Sequence, residues 1–260
     1  MNKITKKVSD KMKSVLLKAH GGVEQLYLGE IPMCQLNHPS EVLIQTVSIG
    51  VNRMDLLQRE GKYPVPQGES NILGVEVSGY IHESKSKLFS KGDRVMALVS
   101  GGAYSEFIVA PDTLCMKIPT GLSFEQAASI PENWITAYQL LHFIAKIKKG
   151  DKVLIHAAAS GVGCAAIQLC KIAGASDIIV TSRSQHKLEV CKSLGATTCL
   201  LIDDEIDFSQ KILNYTNAIG VDVILDPIGS SYFNQNIECC AKDARLFFLK
   251  QKLNFCQLFF

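Results

Sequence analysis

Residues 151–175, DKVLIHAAASGVGCAAIQLCKIAGA, carry the clearest chemical pattern in this chain. An apolar run (KVLIH) enters a turn of small residues (AAASGVG), and a helical pattern (CAAIQLCKIAG) leaves it. Small side chains let a ligand come close to the protein backbone. The first N–H groups and the positive dipole end of the helix then face a phosphate. Ser160, Gly161, Val162 and Gly163 are the candidate pyrophosphate contacts. The spacing is AxxGxG rather than GxGxxG, and the same turn also serves simply to pack a strand against a helix.

One step further along, DIIVTS (177–182) reads as the second strand of a parallel pair. In a dinucleotide-binding fold, an acidic residue at the end of this strand holds the ribose 2′-OH of NAD, whereas basic and hydroxyl groups suit the 2′-phosphate of NADP. No acid stands here, and Arg183, Ser184 and Lys187 do. They are candidate phosphate ligands; the other reading is an ordinary solvated loop. A helix over 186–194 follows, with Gly195 as its C-terminal cap.

These groups need two kinds of scaffold. Residues 12–130 are rich in short strands (SVLLKA, QLYLGEI, EVLIQTVSIGVN, SGYIHE, RVMALV, SEFIVA), with one small helix over Met54–Arg59, which predicts a barrel-like domain. Ser123–Ile130 and Ala137–Ile147 have helical periodicity, with Pro131 between them. From Asp151 onward strands and helices alternate: KVLIH, DIIVTS, TTCLLI and DVILDP, with a helix over Phe208–Asn217 before the last. Alternation of this kind implies a parallel sheet covered on both faces. The expected division is a disordered basic extension (1–11), a first domain (12–130), a second, nucleotide-binding domain (131–249) and a divergent tail (250–260).

The 260 residues suffice for one large or two moderate domains, and the near balance of 27 Lys/Arg against 25 Asp/Glu argues against a nucleic-acid partner. No apolar run reaches membrane-spanning length. The start, MNKITKKVSDKMKS, has no apolar core and is not a secretory signal. The nine cysteines are scattered, with no CxxC and no zinc-ligand spacing, which suits a reduced, cytoplasmic compartment.

Several segments together resemble a known family: Val51–Tyr63, Asn71–Gly79, Gly92–Ala97, Ala127–Pro131, Trp134–Leu141, His156–Lys171 and Val221–Gly229. From about Met12 to Leu249 the chain is similar to the zinc-free, zeta-crystallin-like quinone oxidoreductases of the medium-chain dehydrogenase/reductase superfamily, the tumour-suppressor-inducible subfamily above all. The resemblance implies an α/β protein: a GroES-like β-barrel catalytic domain followed by a Rossmann domain. It implies metal-free hydride transfer from NADPH to a small-molecule quinone, with no covalent intermediate. An NADPH-dependent enal or enone reductase is the alternative within enzymes, and a non-catalytic NADPH-binding product is the alternative outside them.

The resemblance also implies roles for single residues. Asn52 and Tyr63 match substrate-pocket positions, and Asp55 either orients Asn52 or caps the short helix. Thr136 matches a position near the nicotinamide, Ser160–Gly163 the pyrophosphate turn, and Lys187 the 2′-phosphate contact. The plainer readings are a turn-forming Asn52, a packed Tyr63 beside Pro64 and Pro66, and an ordinary helix threonine at Thr136. Zinc-using relatives carry a ligand Cys near the place of Asn52 and a His–Glu pair where this chain has Val75-Glu76. Arg183 offers a second cation, while Asp203, where close relatives have a tyrosine, would repel a phosphate.

The pattern breaks near the end. Ala241–Leu249 still resembles the fifth Rossmann strand, but Ala244 replaces a turn glycine, Lys250 replaces a glycine beside the nicotinamide, and KQKLNFCQLFF has no counterpart. The family continues with a sixth strand, a subunit-pairing helix and a return segment. A C-terminally truncated chain is therefore expected, with an incomplete Rossmann sheet, an open sheet edge and uncovered apolar surface on the first domain. Phe255, Leu258, Phe259 and Phe260 are too few to replace what is missing. The homodimer of the full-length family is not expected to carry over to this chain.

Overall fold

A computed structural model describes residues 10–203 and 207–249, together with the backbone of 256–259. The chain divides into two units, Met1–Glu132 and Asn133–Phe260. The basic extension up to residue 9 and Lys250 lie outside the described residues.

In the first unit, β1 (Lys11–Leu17) pairs antiparallel with β2 (Leu26–Pro32). The strand thus starts at Lys11, the last residue assigned to the extension. β3 (Glu41–Ile49), β4 (Glu76–Ser84), β5 (Arg94–Leu98), β6 (Phe107–Pro111) and β7 (Cys115–Lys117) form a five-stranded antiparallel half-barrel in the order β6-β3-β4-β5-β7. Alternation puts Val42 and Ile44, Val77 and Ile81, and Val95 and Ala97 on one buried face. Burying one Val or Ile side chain of this kind stabilises the fold by about 1.5–3 kcal/mol. Helix α1 (Arg53–Arg59) fills the connection between β3 and β4. Helix α2 (Phe124–Ala128) opens on a reciprocal cap: Ser123 Oγ accepts from the Gln126 N–H at 3.2 Å, and Gln126 Oε1 accepts from the Ser123 N–H at 3.0 Å.

Pro131 begins a helix, α3 (Pro131–Tyr138). The first N–H of a helix has no intrahelical acceptor, so proline loses nothing there. The helix expected over 137–147 is instead the end of α3 followed by a wider, π-helical turn over Gln139–Ile144.

The second unit is a six-stranded sheet in the order β10-β9-β8-β11-β12-β13: β8 (Lys152–Ile155), β9 (Asp177–Ser182), β10 (Thr198–Leu201), β11 (Val221–Asp226), β12 (Cys240–Phe248) and β13 (Cys256–Phe259). The first five are parallel. Val153 and Ile155 face one core with Ile178, Val180, Val223 and Leu225, while Leu154, Ile179 and Ile224 face the other with Phe208 and Ile212. Both faces are therefore covered, by α4 (Gly161–Ala173), α5 (Gln185–Leu194), α6 (Phe208–Tyr215) and α7 (Phe233–Glu238). Helix α6 stops two residues short of Asn217, because Asn217 and Ala218 take left-handed φ values of 53° and 63°. The chain runs outward from β8 to β10 and returns on the other side of β8 as β11. The carboxyl ends of β8 and β11 are thus the topological switch point, where α/β folds hold ligands.

The outer side of β12, expected to stand open, is paired by the tail, which becomes the edge strand. β13 pairs antiparallel with β12, from Arg245 opposite Phe259 to Phe248 opposite Cys256. Pairing draws only on backbone N–H and C=O groups, so no family sequence is needed. A parallel partner needs a crossover of about a dozen residues or more, and the link over 249–255 is shorter than that.

Candidate functional site

The two groups of sequence candidates fall on separate units. In the second unit, the chain leaves β8 through His156 and turns at Ala157, whose φ is 46°. Ser160 caps α4, its Oγ accepting from the Gly163 N–H at 3.2 Å. The N–H groups of Gly161 and Val162 then have no intrahelical acceptor, and Ser160 and Gly161 are exposed. A Cβ on Gly163 would overlap the Ala158 carbonyl, so only glycine lets the helix sit this close to the turn. The result is an open, electropositive cradle at the end of β8.

Arg183, Ser184 and Lys187 stand at the adjoining end of β9. Arg183 and Lys187 are exposed and make no hydrogen bond or ion pair among the described residues. Ser184 is the N-cap residue of α5, but its hydroxyl makes no cap bond. Asp203 is exposed just beyond β10. Thr136 is half-buried on α3.

Beneath the cradle runs a buried polar chain that sequence reasoning missed. The His156 ring is 2.8 Å from Thr181 Oγ1 through Nδ1 and 2.8 Å from Asn236 Oδ1 through Nε2. Asn236 Nδ2 donates to Asp226 Oδ2 at 2.9 Å, and Asp226 Oδ1 accepts from the Ile228 and Gly229 N–H groups. Burial holds the imidazole below its ordinary pKa, only partly offset by Asn236 and the Asp226 charge. Polar residues at the ends of apolar strands (KVLIH, VILDP) were the available signal.

In the first unit, a cleft of about 280 Å³ is lined by Met54, Tyr63, Val75, Leu98, Leu114 and Glu132, among others. Tyr63 is therefore on its wall; Asn52 and Asp55 are not. Asn52 instead starts α1: its N–H donates to Asp55 Oδ2 at 2.8 Å, and its Nδ2 donates to Glu76 Oε1 at 2.8 Å. Glu76 Oε2 accepts from the Glu132 N–H at 2.9 Å, and the Tyr104 hydroxyl donates to Asp55 Oδ2 at 3.0 Å. Asp55 thus both caps α1 and fixes Asn52, while its Oδ1 has no hydrogen-bond partner among the described residues. A wider hollow of about 620 Å³, beside His82, Phe89 and Lys91, lies at the other end of β4, and no sequence candidate lines it.

Three carboxyls share this corner, and among the described residues no cation stands between them. Burial pushes Asp55, Glu76 and Glu132 above the usual carboxylate range, and mutual repulsion adds to the rise at Glu76 and Glu132. Between the ordinary carboxyl values (3.8 for Asp, 4.5 for Glu) and the raised native ones, the folded unit binds more protons than the unfolded chain. Stability therefore falls as pH rises through the native values. Thermal unfolding of the first unit is expected at lower temperature at pH 8 than at pH 5. Glu76→Gln should flatten that slope; an unchanged slope would contradict the assignment.

Burial also holds the thiols of Cys115 and Cys170 up at about 12 and that of Cys191 at about 11, so none of these is a nucleophile at neutral pH. Among the described residues no three His, Cys, Asp or Glu side chains lie so as to hold a metal ion.

Residues 38–120 match the family described as "Alcohol dehydrogenase GroES-like domain", and residues 161–249 match "Zinc-binding dehydrogenase". The structure resembles a quinone oxidoreductase of Pseudomonas syringae pv. Tomato DC3000 with a TM-score of 0.81 and 31% identity, over 90% of this chain and 72% of that one. The chain belongs to the medium-chain dehydrogenase/reductase superfamily, with its quinone oxidoreductase-like members. A mycobacterial member of similar structure, solved in complex with NADPH, gives a TM-score of 0.82 at 30% identity, over 92% of this chain and 74% of that one. Among curated relatives, a mouse "Synaptic vesicle membrane protein VAT-1 homolog-like" is 34% identical over 220 residues, 84% of this chain and 51% of the relative. The chain thus spans about half the length of that relative. Membership of this superfamily, with a dehydrogenase nucleotide-binding domain and an NADPH-complexed neighbour, supports a nicotinamide cofactor. No described helix is long and apolar enough to cross a membrane.

Proposed function

We propose that this protein binds NADPH on its second unit and reduces a quinone by metal-free hydride transfer. The observation that carries the reading is the pair of unengaged cations, Arg183 and Lys187, at the strand end beside the open N-terminus of α4. The Gly161 and Val162 N–H groups would hold the pyrophosphate, with the Ser160 side chain keeping the turn in shape. Arg183, Lys187 and the Ser184 hydroxyl would hold the 2′-phosphate and select NADPH over NADH. Bound there, the reduced nicotinamide supplies the hydride. The cleft of the first unit offers apolar walls (Met54, Val75, Leu98, Leu114) for a flat ring and the Tyr63 side chain for an acceptor oxygen. Asn52, tied to Glu76, shapes this wall from behind rather than presenting its own amide nitrogen. A reduced, cytoplasmic compartment belongs to the same reading, supported by eight free cysteines among the described residues.

The test is direct. Purified full chain should quench NADPH fluorescence saturably and oxidise NADPH when a para-quinone is added. Faster turnover with an enal than with any quinone would move the substrate class to activated double bonds. Saturable NADPH binding with no turnover of either would leave a binding protein.

A further inference from the structure

Among the described residues lining the first unit's cleft, Glu132 contributes the one carboxyl, and nothing in the proposed reaction has yet used it. Its side chain is half-buried and makes no hydrogen bond or ion pair among the described residues. Its main chain, by contrast, is fixed: the N–H donates to Glu76 Oε2, and Glu76 Oε1 is held by Asn52. A carboxyl residue on the lining of an apolar cleft, with its backbone anchored and its side chain without a hydrogen bond among the described residues, is placed to exchange a proton with whatever occupies the cleft. We propose that Glu132 is the general acid that protonates the substrate oxygen during reduction.

The charged and titratable groups acting on Glu132 are Glu76 from β4 and Asp55 from α1, both acidic. Burial is the larger cause and their repulsion the smaller, and together they keep the Glu132 proton on to higher pH than an ordinary carboxyl would. Asn52, Asp55 and Glu76 thereby become positioning residues, which accounts for a polar corner behind an apolar wall.

The step balances. The hydride brings one hydrogen and an electron pair to the substrate, and negative charge collects on its carbonyl oxygen. An O–H bond forms to that oxygen as the O–H bond of Glu132 breaks, leaving a carboxylate. Water reprotonates the carboxylate from the open side of the cleft. One hydride and one proton convert a quinone to a hydroquinone, or an enal to its enol.

This inference rests on the proposed reductase activity. The experiment compares wild type, Glu132→Gln and Glu132→Asp in turnover of a para-quinone and an enal with NADPH across pH, alongside NADPH binding and thermal unfolding. In wild type, kcat should fall at high pH along a single-ionisation limb, with a solvent deuterium isotope effect. Glu132→Gln should lose about 10²-fold in kcat at neutral pH, the lower end for general-acid catalysis. It should also lose the limb while binding NADPH as wild type does. Glu132→Asp should restore part of the rate and the limb. Wild-type turnover with neither limb nor isotope effect overturns the inference, even where Glu132→Gln fails to fold. So does a folded Glu132→Gln with wild-type kcat and pH profile; in both cases the reductase reading stands. A wild-type protein that binds NADPH and turns over no acceptor removes both.

Discussion

Replacing both cations at the end of β9, as Arg183→Ala with Lys187→Ala, will weaken NADPH binding by about 10²-fold and leave NADH binding unchanged. Each cation is exposed and unengaged among the described residues, so removing it breaks no internal contact. A charge-assisted hydrogen bond contributes on the order of 1.5–3 kcal/mol, and solvent screening lowers that at an exposed site toward about 1.4 kcal/mol, a factor of ten for each cation. NADH lacks the 2′-phosphate, and in the proposed binding mode its pyrophosphate rests on the α4 N-terminus, which these substitutions do not touch. The loss should shrink with added salt. Asp203, exposed just beyond β10, would oppose the same phosphate in the proposed binding mode, so Asp203→Asn should shift the preference further toward NADPH. Titrating each variant with both nucleotides by fluorescence decides the matter. Equal losses for NADPH and NADH would show that these residues do not read the 2′-phosphate.

His156→Leu will destabilise the second unit by about 3 kcal/mol, although leucine nearly fills the space. The reason lies in the order in which hydrogen-bonding roles are set. Asp226 is a fully buried side chain that accepts two backbone N–H groups and Asn236 Nδ2. Asn236 must therefore turn Oδ1 toward His156, which has to donate from Nε2. Nδ1 is left as the acceptor and takes the Thr181 hydroxyl. Leucine would strand Asn236 Oδ1 and Thr181 Oγ1 in an apolar interior at about 1–3 kcal/mol each. It would also lose the edge-on packing of the imidazole against Phe208 and Tyr232, with centroids 4.9 Å away in each case. Thr181→Val, which removes only one partner, should cost less.

A pH signature separates the two. The native His156 pKa lies below the unfolded value of 6.5, so under that pH the unfolded chain binds a proton that the folded one refuses. Wild type therefore loses stability as pH falls below 6.5, whereas His156→Leu lacks that component. Urea midpoints of the second unit at two pH values measure both effects. A variant as stable as wild type would remove the network from any structural role.

Local pattern was enough for the strand–turn–helix at 151–175, the alternation that follows, and the cations beyond DIIVTS. Hydrophobic period, small turn residues and a capping serine act within a few residues of one another, so composition along the chain encodes them directly. The helix expected from Ala137 begins at Pro131, because a proline between two helices and a proline at a first helical position look alike until the next turn's contacts are known. β13 was unforeseen because backbone pairing leaves no sequence signature, and antiparallel return follows from a short link rather than from residue type.

Legible from residue order alone were an α/β chain of the medium-chain dehydrogenase/reductase type, a small-residue turn opening a helix, and a pair of cations one unit later. The tertiary structure alone decided which polar groups are already spoken for. It tied Asn52 to Glu76, 24 residues away, Glu76 to Glu132 over 56, and His156 to Asn236 over 80. It left Tyr63 and Glu132 on the cleft. Hydrogen bonds at such separations depend on strand order and register, which no local window contains, and they determine whether a polar residue supports the wall or meets the ligand.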